Sequence, residues 1–70
     1  MKTYTYKFNS STGTLFACEA EELAQAEVLF MRHMKATCFW TVNRFHRIAV
    51  VRLSFERDRS TAYYTYGVTW

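Results

Sequence analysis

The side chains of this 70-residue chain that could carry proton transfer, nucleophilic attack or metal ligation are Cys18, Cys38, His33, His46 and Glu27. A metal site needs three or four ligands converging on one point. These five instead occur singly, on separate stretches of sequence, and the Cys and His spacing matches no zinc finger. Nothing resembles a phosphate-binding glycine loop or a nucleophile elbow. The expectation is a protein that is not an enzyme and that uses no metal and no cofactor, with both cysteines serving as small buried hydrophobes and both histidines on the surface.

The second set able to do chemistry is basic and aromatic, and its chemistry is binding. Net charge is +3, unevenly spread. Residues 1–31 carry Lys2 and Lys7 against Glu19, Glu21, Glu22 and Glu27. The remainder carries Arg32, Lys35, Arg44, Arg47, Arg52, Arg57 and Arg59 against Glu56 and Asp58. Such asymmetry points to an acidic partner, either nucleic acid or an acidic protein surface, although a solvated charged surface with no partner has the same composition. Exposed aromatics beside arginines stack on bases and neutralise phosphates. The same residue types are enriched at protein interface hot spots. The candidate partner-binding residues are Trp40, Arg44, Arg47, Arg52, Arg57, Arg59 and Tyr63.

These residues must be positioned by elements that the hydrophobic pattern makes legible. Residues 3–9 alternate aromatic and polar with period two. The turn-forming run Asn9-Ser10-Ser11-Thr12-Gly13 follows, and then Thr14 to Cys18, which together read as a hairpin. From Ala20 to Lys35 the period becomes helical. Ala20, Leu23, Ala24, Ala26, Val28, Phe30, Met31 and Met34 share one wide arc, as a helix lying on a sheet requires. Glu19, Glu21 and Glu22 at its start and Arg32, His33 and Lys35 at its end complement the helix dipole.

Two residues break that arc. Glu27 falls within the apolar side and is expected to reach the helix edge and pair with an arginine of the sheet. Leu29 falls on the polar side and should be exposed; with Glu21 and Gln25 it forms a secondary candidate partner surface.

After the helix come Cys38 to Arg44, Ile48 to Glu56 and Thr61 to Trp70, rich in β-branched and aromatic residues. Phe45-His46-Arg47 and Arg57-Asp58-Arg59-Ser60 join them through connections short enough for antiparallel hairpins. The expected fold class is α+β, a single antiparallel sheet of about five strands in the order β-β-α-β-β-β with one helix packed on one face. Residues 1–70 form one domain, because a chain this short buries only about 60% of its unfolded surface and has no room for a second core. With no secretory signal and no apolar run approaching the ~20 residues of a membrane span, a reducing cytoplasm and no membrane association are expected.

One helix covers one face, so the other face should be open or used for association. In the fourth strand Ala49, Val51, Leu53 and Phe55 read as buried, and Ile48, Val50, Arg52, Ser54 and Glu56 as open. In the fifth, Ala62, Tyr64, Tyr66 and Val68 read as the core set, against Thr61, Tyr63, Thr65 and Thr69. Arg52 and Tyr63 are then expected on one exposed surface. All aromatics except Phe30 lie outside the helix, so some aromatic surface should remain visible.

Known nucleic-acid modules are disfavoured. Arg52-Leu53-Ser54-Phe55 lacks the glycine of an RNA-recognition motif, and a single helix makes no helix-turn-helix.

The layout resembles that of very small phage-encoded anti-CRISPR proteins, in which a hairpin is followed by one helix and an antiparallel meander. The segment Cys18-Glu19-Ala20-Glu21-Glu22-Leu23-Ala24-Gln25-Ala26 is similar to their strand-to-helix passage, and Thr37-Cys38-Phe39 to their return into the sheet. The match covers element order and length across most of the chain, and specific residues over a small part of it.

The resemblance implies a non-enzymatic inhibitor or accessory protein of phage or mobile-element origin. It would act in the host cytoplasm on a host protein or nucleoprotein complex such as a CRISPR surveillance complex, and block its contact with DNA. Proteins of that kind are frequently acidic, whereas this chain is basic, which directs it to acidic protein patches, guide RNA or target DNA. The competing class is a small basic protein that binds DNA or RNA directly through an Arg/aromatic sheet surface. Homodimerisation through an open face or edge strand is compatible with both.

Overall fold

The computed structural model describes residues 2–70. The elements run β1 (Tyr4–Ser10), β2 (Gly13–Ala20), α1 (Leu23–Met34), β3 (Cys38–Phe45), β4 (Ile48–Arg57) and β5 (Ser60–Thr69). The strands form one five-stranded antiparallel sheet in the order β2-β1-β5-β4-β3. The α+β class, the element order and the C-terminal meander are those expected from the sequence. The β1–β5 pairing closes the sheet through Lys7, Phe8 and Asn9, opposite Thr69, Val68 and Gly67. It leaves β2 and β3 at the two edges. The chain must therefore cross the whole sheet between β2 and β3, and α1 is that crossing, packed on β2, β1 and β3.

Burial on the covered side defines the core. Tyr6 and Phe8 of β1, Ala49, Val51 and Leu53 of β4, and Tyr66 and Val68 of β5 close against Leu23, Ala26 and Phe30 of α1. Phe30 is the centre: its ring stacks on Phe8 at 4.2 Å and meets Tyr66 edge-on at 5.1 Å. Full burial of such a side chain is worth about 1.5–3 kcal/mol. A helix of this length is marginal alone, so its stability comes from this contact face.

Local chemistry explains the connections. Asp58 and Arg59 both have positive φ, 50° and 67°, which matches the right-handed strand twist in a tight hairpin. At the β1–β2 turn the left-handed position belongs to Gly13, φ 120°. Lys35 ends the helix at φ 58°, with the Ala36 N–H donating to the Met31 carbonyl at 3.0 Å, the left-handed closure usually made by glycine.

The structure corrects several expectations. The helix begins at Leu23, because Glu19 and Ala20 continue β2. Ala24 is exposed, since the buried stripe narrows to Leu23, Ala26, Glu27 and Phe30. Cys38 is exposed on an edge strand and Cys18 is half-buried, so neither is a fully buried hydrophobe. Phe55 and Tyr64 lie on the core side, yet Tyr64 is exposed and Phe55 half-covered, because the β4–β5 hairpin extends beyond the end of the helix. Ser54 points to the open side but is buried: Thr37 folds over it and donates its N–H, at 2.9 Å, and its hydroxyl, at 3.0 Å, to the Ser54 carbonyl.

Glu27 is the largest departure. It is 3% exposed and, among the described residues, pairs with no arginine; its Oε1 accepts from the Thr41 hydroxyl at 2.7 Å, and its Oε2 has no hydrogen-bond partner among them. Burial pushes its carboxyl above the ordinary carboxylate range, with the Thr41 hydrogen bond and the charge of Arg44 pulling the other way.

Candidate binding surface

Strand alternation puts every second residue on the uncovered side of the sheet. The pairing register aligns them in rows. Trp40 lies opposite Arg52, which lies opposite Thr65; Cys38, Ser54 and Tyr63 form the next row; Phe45, Ile48, Thr69 and Lys7 form a row near the other end. Across the first two rows the Trp40 and Tyr63 rings meet edge to face, with centroids 5.8 Å apart. The Arg52 Nε donates to the Thr65 hydroxyl at 3.4 Å, which directs the guanidinium across the open face from its place in the row between Trp40 and Thr65. Tyr63 is 60% exposed and Trp40 36%. Two rigid aromatics and a tethered arginine thus stand on β-strands rather than on loops, so little side-chain entropy is lost when a partner covers them.

The candidate arginines do not converge. Arg52 alone is on the open face with Trp40 and Tyr63. Arg57 and Arg59 flank the tip of the β4–β5 hairpin. Arg44 lies on the helix side: β3 carries a bulge between Thr41 and Asn43, so Arg44 pairs with the buried Ala49. There its guanidinium lies 5.6 Å from the Trp70 ring centroid, and Arg47, in the β3–β4 turn, lies 5.5 Å from that of Tyr4. Phosphate tracking needs cations in a common groove, and among the described residues Arg52 is accompanied on the open face only by Lys7, across the sheet.

The secondary set behaves differently. Glu21, Gln25 and Leu29 are all exposed on the outer side of α1 and before it. Gln25, however, also serves the fold. Its Oε1 accepts the backbone N–H of Glu21 at 3.0 Å, which fixes the start of the helix where Glu22 supplies no side-chain cap.

Phe45, 77% exposed, and Val42, 47% exposed, extend apolar surface along the β3 edge. The sequence reading places Phe45 in the connection after the strand, whereas β3 extends to it and pairs it with Ile48. Val42 is not readable in the sequence, because a bulge leaves no period to follow.

Among the described residues no group of three or more His, Cys, Asp or Glu could hold a metal ion, and no helix is long and apolar enough to cross a membrane. His33 stacks on Phe16 at 4.7 Å, and burial pushes the Cys18 thiol above its ordinary value, away from a reactive thiolate. Comparison with known proteins finds no family model, no curated protein and no solved structure that matches the chain.

Proposed function

We propose that this chain is a non-enzymatic binding protein that docks the open face of its sheet, through Trp40, Arg52 and Tyr63, on a protein surface of a host nucleoprotein complex and obstructs that complex. The observation that carries this reading is the contact of Trp40 with Tyr63 beside an arginine tethered to Thr65. Trp, Tyr and Arg are the residues most enriched at protein hot spots, and a rim of threonine and isolated charge suits a non-obligate interface. The separation of the candidate arginines over three places favours a protein partner over a nucleic-acid strand lying on this face.

The likeness of layout to small anti-CRISPR proteins extends the proposal to a CRISPR surveillance complex in the host cytoplasm. Inhibition would then be stoichiometric, by occlusion of the contact with DNA.

The test is a mobility-shift assay in which a purified surveillance complex binds its target DNA with increasing amounts of the chain. The wild type is expected to abolish the shifted band near equimolar amounts. Trp40→Ala or Tyr63→Ala is expected to require at least about tenfold more protein, as loss of a hot-spot residue does, and Arg59→Ala no more than the wild type. Direct, salt-sensitive binding of free DNA through Arg52, with no effect on the complex, would replace this reading by the nucleic-acid one.

A further inference from the structure

A second surface lies at the end of the sheet where β1 begins and β3 turns into β4. Arg44 stands over Trp70 at 5.6 Å, Arg47 over Tyr4 at 5.5 Å, and the Lys2 ammonium lies 5.8 Å from the same Tyr4 ring. Trp70 packs on Tyr6 at 5.1 Å, and its backbone N–H donates to the Arg47 carbonyl at 3.2 Å, so the rings and the turn hold one another in place. Among the described residues no carboxylate lies within 4.0 Å of either guanidinium.

A guanidinium lying on an aromatic face keeps its N–H edges free and is weakly hydrated, the state in which arginine recognises oxyanions best. Tyr4, Tyr6, Arg44, Arg47 and Trp70 line a shallow depression on the helix side. A neighbouring depression shares Tyr4, Arg47 and Trp70 and continues over Lys7 and Thr69 to the open side. Glu21 and Glu22 close the first depression at the helix start, so the favourable path for an anion runs away from them, from Arg44 across Arg47 toward Lys7.

We propose that this corner binds the phosphate backbone of single-stranded nucleic acid, with Arg44 and Arg47 on phosphate oxygens and Lys2 and Lys7 extending the track. The cations are strung around the corner and interleaved with rings, as a run of phosphates and bases requires. A single carboxylate of an acidic peptide would need the two guanidiniums to converge, and each rests on a different ring. The site is separate from Trp40, Arg52 and Tyr63, so either surface can fail without the other. Together they would let the chain hold protein with one face and a nucleic-acid strand with one end.

Fluorescence anisotropy of labelled oligothymidylate and oligouridylate, about a dozen nucleotides long, at about 50 and about 200 mM salt, tests this. The wild type is expected to bind both, with affinity falling steeply with salt. Arg44→Gln and Arg47→Gln should each lower the log–log salt slope by about 0.7 and together weaken binding at least about tenfold. Arg57→Ala, Arg59→Ala and Trp40→Ala should leave binding within about twofold of the wild type, as substitutions outside a site do. Arg47, in an exposed turn, keeps the test decisive if loss of Arg44 beside buried Glu27 harms folding. Absence of binding at low salt, or binding unchanged by Arg47→Gln, would overturn the proposal. Capture of labelled oligoglutamate in place of the oligonucleotides would overturn it in favour of an acidic peptide.

Discussion

The two faces of one sheet use the same alternating strands for opposite ends. In β4, Ala49, Val51 and Leu53 are each 1% exposed under α1, while Ile48, Val50 and Arg52 between them face outward, with Ile48 at 57%. On the covered face aromatics stack on one another and on Phe30, so each ring removed leaves a void. On the open face the Trp40–Tyr63 pair is solvent-exposed, and an edge-to-face contact of this kind adds only about 0.5–1.5 kcal/mol. Composition alone does not separate the two sets; what separates them is the single helix, which can cover only one side.

Breaking the covered face should therefore have the largest effect on stability. Phe30→Ala is expected to cost about 3–5 kcal/mol, a large part of the about 5–15 kcal/mol that holds a domain together. Urea denaturation should show the midpoint collapsing, whereas Trp40→Ala should lower the unfolding free energy by about 1 kcal/mol or less.

Next in size is the polar contact inside the core. Thr41→Val removes the one hydrogen bond to the Glu27 carboxylate among the described residues and should cost about 1–3 kcal/mol at neutral pH. Glu27 also makes stability depend on pH in a definite direction. Its folded carboxyl titrates above its unfolded value, so the folded state holds its proton longer. Stability is full below the unfolded value near 4.5 and is lost as pH rises through the raised one. Glu27→Gln keeps an acceptor for Thr41 and cannot ionise; it is expected to raise the melting temperature at pH 7 and to bring no gain at pH 4. An equal gain at both would show that the charge is not what costs stability.

Smaller effects belong to the turns. Gly13→Ala places a Cβ in a backbone region that L-residues avoid and should cost about 1–2 kcal/mol. Arg59→Gly removes a side chain from φ 67° at the β4–β5 tip and should stabilise by about 0.5 kcal/mol, measurable as a small rise in melting temperature. Neither change should affect the docking proposed for the open face, which sharpens the contrast between positions that hold the fold and positions proposed to meet a partner.

The strands and the helix are legible in the sequence because their hydrophobic periods differ, and both faces of β4 and β5 follow from alternation alone. Alternation also puts Arg52 and Tyr63 on one surface, and the register sets them on the same side in adjacent rows. Three features are hidden. The bulge at Val42 moves Arg44 to the helix side, and a single inserted residue leaves no mark in a run as uniform as Cys38-Phe39-Trp40-Thr41-Val42. The partner of Glu27 is a threonine on the far edge strand, which depends on strand order. The gathering of Lys2, Tyr4, Arg44, Arg47 and Trp70 joins both ends of the sequence to its middle through the β1–β5 pairing and the turn at Arg47, contacts that no local pattern encodes.

Under the proposed function, the open face serves binding and contributes little to folding. A combined Trp40→Ala, Arg52→Ala, Tyr63→Ala variant, titrated against a surveillance complex bound to its target DNA after a thermal melt verifies its fold, tests that most directly. A melting temperature within about 8 °C of the wild type is expected, the shift that about 1 kcal/mol gives in a domain of this size, with no inhibition at concentrations where the wild type is saturating. A folded variant that still inhibits like the wild type would contradict that role for the open face.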